Sequence, residues 1–235
     1  MPVAGRRGPR SNAFLTDVYQ RLLDAFGPQH WWPGDGGPFE VCVGAILTQS
    51  AAWTNVEKAL GRLKEAGLLS PQALDRAPQE EVAALVYSSG YFNAKARKLK
   101  AFAGHLCQAY AGDIDRLLVR PADELRTELL GIHGIGEETA DDMLLYAAVQ
   151  PSFVVDAYTR RIFSRLGLQP QRDGYGDWRA LFMEALPRDT ALFNEYHALL
   201  VALGKDVCLK RAPKCGECPL RDVCAVGRES SPPGP

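Results

Sequence analysis

Leu130-Gly131-Ile132-His133-Gly134-Ile135-Gly136 closes one helix-period segment and, with Glu137-Glu138-Thr139-Ala140 behind it, opens the next. Glycines spaced through so short a junction let the chain turn tightly and bring its backbone close to a ligand. The amide N–H groups of such a turn, and of the helix start that follows, are suited to holding a phosphate. Twenty residues past Gly136 an acid follows an apolar run, in Phe153-Val154-Val155-Asp156-Ala157-Tyr158-Thr159-Arg160-Arg161. A carboxylate at that place also reads as a helix N-cap, and the two roles are compatible.

Outward from this junction the chain reads as helices. Asn12 to Phe26 carries Phe14, Leu15, Val18, Leu22 and Leu23 at steps of three and four, one apolar stripe that Gly27-Pro28 stops. Similar periodicity predicts helices over about 39–50, 54–66, 79–87, 93–110, 122–130, 137–148, 157–166, 176–186 and 190–204. No Asn-Gly or Asp-Gly turn joins two alternating runs, so strand signals are poor. The fold class is therefore all-α. Ten or so short helices do not make one simple bundle, which predicts a multi-helix domain with a second, smaller lobe.

The 235 residues suffice for one large domain or two small ones. A hydrophobic fraction of 46% against 23% charged argues for a packed core and against a disordered chain. The longest apolar runs, such as Ala198 to Leu203, fall far short of the roughly 20 residues that cross a bilayer, so no membrane partner is expected. The basic, Gly- and Pro-rich start has no apolar stretch behind it and reads as a flexible arm, which makes the expected compartment cytoplasmic. Net charge is −1 and by itself implies no polyanionic partner. Two clusters stand out, Lys95, Arg97, Lys98 and Lys100, and Lys205, Lys210, Arg211 and Lys214 against Asp206. Each reads either as a phosphate-facing patch or as an ordinary solvated face.

Four of the six cysteines crowd the end as Cys208, Cys215, Cys218 and Cys224, with the spacing C-x6-C-x2-C-x5-C. In a cytosolic chain this set suits a metal better than disulfides. Zinc and iron–sulfur both fit the ligand type, and a single C-x2-C pair favours a [4Fe–4S] cluster over structural zinc. Cys42 and Cys107 read as buried small hydrophobes.

The helix–hairpin–helix signature, the Val-Val-Asp segment and the cysteine cluster, in that order and spacing, resemble the endonuclease III group of the helix–hairpin–helix DNA glycosylase superfamily over about residues 12–226. The resemblance implies two helical lobes with a DNA cleft between them. One is a barrel-like domain over 31–150 that carries the hairpin; the other is an iron–sulfur domain made of 11–30 and 151–228, with flexible tails at 1–10 and 229–235. It implies Asp156 as the catalytic aspartate and His133, Gly134, Ile135 and Gly136 as the DNA-binding turn, with no chemistry assigned to the His133 side chain. Cys208, Cys215, Cys218 and Cys224 become the ligands of a [4Fe–4S] cluster. Gln49 becomes the residue inserted where a nucleotide has been extruded, and Arg160 and Lys205 become phosphate contacts.

Two departures shape the expected activity. Members of the family that also cut the sugar carry a lysine at the position occupied here by Glu138, and a carboxylate forms no imine, so lyase activity is expected to be absent or weak. Glu137, Glu138, Asp141 and Asp142 also make the helix after the hairpin acidic, which favours its dipole but repels phosphate. Trp31-Trp32-Pro33 and Trp53, taken with Ser89 to Ala96 and Gly134 to Asp141, look most like the 3-methyladenine branch, where an aromatic pair sandwiches the extruded base. A cationic N-alkylpurine between indole faces gains roughly 0.5–2 kcal/mol per ring over a neutral base. Trp178 reads as core. The expected protein is a monomeric, monofunctional glycosylase of alkylated bases in double-stranded DNA, cytoplasmic and nucleoid-associated. The alternatives are a glycosylase for oxidised pyrimidines or mismatched bases, and a non-catalytic iron–sulfur DNA-binding protein.

Overall fold

The computed structural model describes residues 9–32 and 36–230. Most of the two tails, and Pro33 of the tryptophan loop, lie outside the described residues. Thirteen α-helices run through the described residues: α1 (Pro9–Phe26), α2 (Gly37–Thr48), α3 (Trp53–Glu65), α4 (Pro71–Arg76), α5 (Gln79–Leu85), α6 (Phe92–Tyr110), α7 (Ile114–Leu118), α8 (Ala122–Leu130), α9 (Glu137–Asp142), α10 (Ala157–Leu166), α11 (Tyr175–Met183), α12 (Thr190–Asp206) and α13 (Ala225–Glu229). No strand occurs among them, and the all-α class holds. The start of α1 lies at Pro9, three residues before the stripe that announces it. The helix expected over 137–148 changes character after Asp142, where Met143–Ala147 widen into a π-helical turn.

The chain divides into two compact units, Trp32–Gln150 and a discontinuous one made of the residues up to Trp31 and from Pro151 onward. In the Trp32–Gln150 unit α2 is apolar all round, with Phe39 and every residue from Cys42 to Leu47 buried, as expected of a helix enclosed on all sides. Val56, Ala59, Leu60 and Leu63 of α3 and Ala96, Leu99, Phe102, Ala103 and Leu106 of α6 supply the facing stripes. Each large side chain so buried contributes roughly 1.5–3 kcal/mol.

The cluster Lys95 to Lys100 is mostly not a surface patch. Lys95 is 2% exposed, and its ammonium donates to the carbonyls of Leu47 at 2.8 Å and Ser89 at 2.5 Å. Burial, helped by Lys98, lowers its pKa to about 8. Lys100 donates to the carbonyls of Asp75 and Ala77 at 2.7 and 2.6 Å, closing the end of α4. Only Arg97 of the four is exposed. The cationic tips satisfy helix-end carbonyls that have no partner within their own helix.

In the other unit the Phe153-Val154-Val155 run is buried completely. Phe153 stacks on Phe182 of α11 at 4.0 Å and meets Phe193 and Tyr196 of α12 edge-on at 5.4 and 5.7 Å. Tyr196 donates its hydroxyl to the Leu15 carbonyl at 2.8 Å, which ties α12 to α1. Trp178 is buried, and its indole N–H donates to Asp173 at 2.6 Å. Cys42 is buried as expected, whereas Cys107 is only half-buried because its side of α6 is not covered completely.

Candidate functional site

The buried Phe153-Val154-Val155 run delivers Asp156 to the N-cap of α10, where its Oδ1 accepts the Thr159 amide at 2.7 Å. That bond fixes the carboxylate and leaves Oδ2 directed at His197 of α12, 3.8 Å from Nε2. Burial pulls the His197 pKa down against the opposing pull of Asp156, so burial favours a neutral imidazole. His197 is a neighbour that the sequence reading does not single out. On the outer part of α10, Arg160 reaches Asp173, with 3.1 Å to its carbonyl and 3.3 Å to its carboxylate, and lies 6.0 Å from the Trp178 ring centre. Lys205 is exposed near the end of α12. Trp31 is half-buried at the end of this unit's N-terminal segment.

The four clustered cysteines surround one cavity, together with Arg165, Val207, Arg221 and Val226. Cys208 follows α12 and its amide donates to Leu203 O at 2.7 Å; Cys215 opens a 3-10 turn to Glu217; Cys224 caps α13. At Gly227 a Cβ would come within 2.9 Å of the Arg221 carbonyl, so glycine lets α13 pack against the loop. All four thiols are free of disulfides. Burial raises the Cys218 pKa to about 11, and the other three cysteines add to the rise, which reports four sulfurs near one another. Four thiols lining one cavity supply the ligand set that an iron–sulfur cubane takes. Cys208, Cys215, Cys218 and Cys224 are the residues that would hold such a cluster, as thiolate ligands.

In the Trp32–Gln150 unit α8 and α9 flank the hairpin. Gly134 takes φ +86°, and a Cβ on it would sit 2.2 Å from Cγ of Lys98. Ile135 is buried, and His133, Gly136 and Glu138 are exposed. The half-buried Gln49 side chain is hydrogen-bonded at this turn. Its Nε2 donates to Gly134 O at 3.1 Å and to Thr139 Oγ1 at 2.9 Å, while its Oε1 accepts from the Lys98 ammonium. Asp141 does not contribute to an acidic face. It is fully buried and takes both Nε and Nη2 of Arg126 in α8 at 3.0 Å, a bidentate pair that joins the two helices of the motif.

Trp32 lies on Gly44 of α2, where a Cβ would meet its ring at 2.6 Å. Its ring centre is 4.9 Å from Trp53, edge to face, and 5.4 Å from Tyr146. The two indoles thus touch at right angles and do not form an open parallel sandwich, because an edge-to-face pair is the better arrangement when nothing lies between the rings. Tyr146, on the π turn, is the third ring of the group and is missed by a reading that treats 137–148 as plain core helix.

Residues 43–188 match the HhH-GPD superfamily of base excision DNA repair proteins, and residues 208–224 match the iron–sulfur binding domain of endonuclease III. A Methanocaldococcus jannaschii protein named as a DNA repair glycosylase is 41% identical over 212 residues, covering 89% of this chain and 95% of its own. The Thermotoga maritima endonuclease III is 32% identical, covering 91% and 93%. Among solved structures, the H. pylori 3-methyladenine DNA glycosylase bound to 1,N6-ethenoadenine superposes with a TM-score of 0.71 at 25% identity, over 83% of this chain and 97% of that one. An endonuclease III–DNA covalent intermediate shares the fold, with a TM-score of 0.78 at 23% identity over 95% and 98%. The chain accordingly belongs to the HhH-GPD superfamily of base excision repair DNA glycosylases and carries an endonuclease III-type [4Fe–4S] domain.

Proposed function

We propose that this glycosylase is monofunctional and monomeric, and that it releases alkylated, 3-methyladenine-type bases from double-stranded DNA, leaving an intact abasic site. The observation that carries the reading is the aromatic group Trp32, Trp53 and Tyr146, in which Trp32 is seated on Gly44. Rings of this kind attract a cationic N-alkylpurine more than a neutral base. The relative that was solved with 1,N6-ethenoadenine, itself named a 3-methyladenine glycosylase, supports the same substrate class.

In the proposed reaction the N-glycosidic bond breaks with its electron pair passing to the cationic purine, which departs neutral and needs no general acid. Positive charge develops on the sugar, and the Asp156 carboxylate stabilises it. Water adds to the anomeric carbon and gives up a proton, with Asp156 orienting it. Thr159 N holds Oδ1 and His197 faces Oδ2, so the carboxylate does not have to reorganise. The amides of His133, Gly134 and Gly136 are proposed to hold a backbone phosphate, that of Ile135 being given to Ile132 O at 3.1 Å, with Arg160 and Lys205 as further phosphate contacts. Glu138 replaces an imine-forming amine, which supports hydrolysis without strand cleavage. The hairpin unit is assigned to DNA, and the unit bearing Cys208 to the cluster.

A second reading, removal of oxidised pyrimidines or mismatched bases, has in its favour a relative named a thymine/uracil-DNA glycosylase, 28% identical over 200 residues. A panel of duplexes carrying 3-methyladenine, 1,N6-ethenoadenine, thymine glycol or a uracil mismatch decides between them. Preferential release of thymine glycol or uracil would overturn the alkylpurine assignment.

A further inference from the structure

Arg165 stands in the last turn of α10, and its side chain is turned onto the cysteine loop. Nη1 donates to Cys208 Sγ at 3.1 Å and to the Leu209 carbonyl at 2.8 Å, and Nη2 donates to the Lys210 carbonyl at 3.1 Å. Its own carbonyl oxygen lies 3.4 Å from Cys224 Sγ, a contact that needs the free thiol and drops out once that sulfur is a thiolate ligand, so the bond to Cys208 Sγ is the one that bears on the cluster. A guanidinium stays charged at any working pH, and its planar fork suits several acceptors at once. One turn earlier, Arg161 reaches the same stretch of chain but stops at carbonyls, with Nε on Cys208 O at 2.9 Å and Nη2 on Gly204 O at 2.8 Å. The two arginines therefore separate a hydrogen bond to sulfur from a hydrogen bond to backbone.

We infer that Arg165 is a tuning residue for the cluster. Its charged N–H draws electron density from the Cys208 thiolate and favours the electron-richer state of the iron–sulfur group, which raises the reduction potential. Arg161 fixes the loop without touching a sulfur and sets no potential. This inference rests on the cluster assignment and is independent of the base that the enzyme removes.

The test is voltammetry of the purified holoprotein, with iron content measured on the same samples, for wild type, R165Q, R165K and R161Q. R165Q is expected to move the potential to more negative values by a tenfold change in the one-electron equilibrium, about 59 mV. R165K should move it less, because an ammonium keeps the charge but cannot hold the sulfur and both carbonyls together. R161Q should stay at the wild-type potential. If R165Q is recovered without iron, the comparison of R165K with R161Q decides the matter. Wild-type potentials in both Arg165 variants, or a shift in R161Q as large as that in the Arg165 variants, would overturn the inference.

Discussion

Asp156 Oδ2 and His197 Nε2 face each other at 3.8 Å, while the other carboxylate oxygen is committed to the amide of Thr159. Asn caps a helix about as well as Asp, so Asp156→Asn removes the charge and keeps the cap. Single-turnover base release should fall by about 100-fold or more, the scale on which loss of an electrostatic stabiliser is felt. The melting temperature should stay close to that of wild type. An unchanged rate would remove Asp156 from the chemistry.

Gly134 and Lys98 share one small volume, since the lysine stem runs where a Cβ would be. Gly134→Ala meets both that stem and an unfavourable positive φ, and should cost about 2 kcal/mol or more in urea unfolding. In the Lys98→Ala background the same change should cost less, because the 2.2 and 2.6 Å contacts with Cγ and Cδ are gone and only the 3.0 Å approach to Cβ and the backbone part remain. Strictly additive effects in this double-mutant cycle would mean that the contact carries no energy.

Removing one ring of the aromatic group tests the pocket. Trp53→Ala should reduce excision of a cationic alkylpurine by roughly 5- to 150-fold, the equivalent of about 1–3 kcal/mol of stacking. The loss on a neutral substrate such as 1,N6-ethenoadenine should be smaller. Equal losses on both would point to packing alone.

Borohydride should trap no covalent complex between the wild-type protein and abasic or alkylated DNA. Glu138→Lys restores an amine at the first turn of α9 and should yield a trapped adduct and strand cleavage. An adduct already present with the wild-type chain would contradict the monofunctional reading.

Lys95 gives a pH signature. Its pKa is about 8 in the folded chain against an ordinary 10.5. Between those values the unfolded chain binds more protons, so this residue makes stability rise as pH increases from 8 to 10.5, by at most about 3 kcal/mol. Urea midpoints of wild type minus those of Lys95→Met, followed over that range, should show the rise. A flat difference would mean that the lysine titrates normally.

What the sequence reveals follows the range over which each signal acts. The cysteine set is complete between 208 and 224, and the longer helices carry their own stripes, so both are legible. Helices α4, α7 and α13 are five or six residues long, too short for a period to show. Two of them still left a local mark in their caps: Ser70 accepts the Ala73 amide, and Asp113 accepts that of Asp115. Gln49 meets Gly134 across 85 residues, and Asp141 meets Arg126 from a separate helix. No periodicity carries such pairings, which is why an amide that reads as projecting is tied down and an acid that reads as exposed is buried. His197 and Tyr146 are hidden for the same reason, each lying within a helix that is apolar on most of its faces.

If Trp32 and Trp53 grip an extruded base as proposed, their edge-on contact resists its entry. A planar heterocycle lying between two parallel rings needs them roughly 7 Å apart, and these centres stand at 4.9 Å. A visitor must first pry the indoles open, forfeiting about 0.5–1.5 kcal/mol of their mutual attraction. On the proposed reading, a heterocycle bearing formal positive charge offsets that loss better than an ordinary base does.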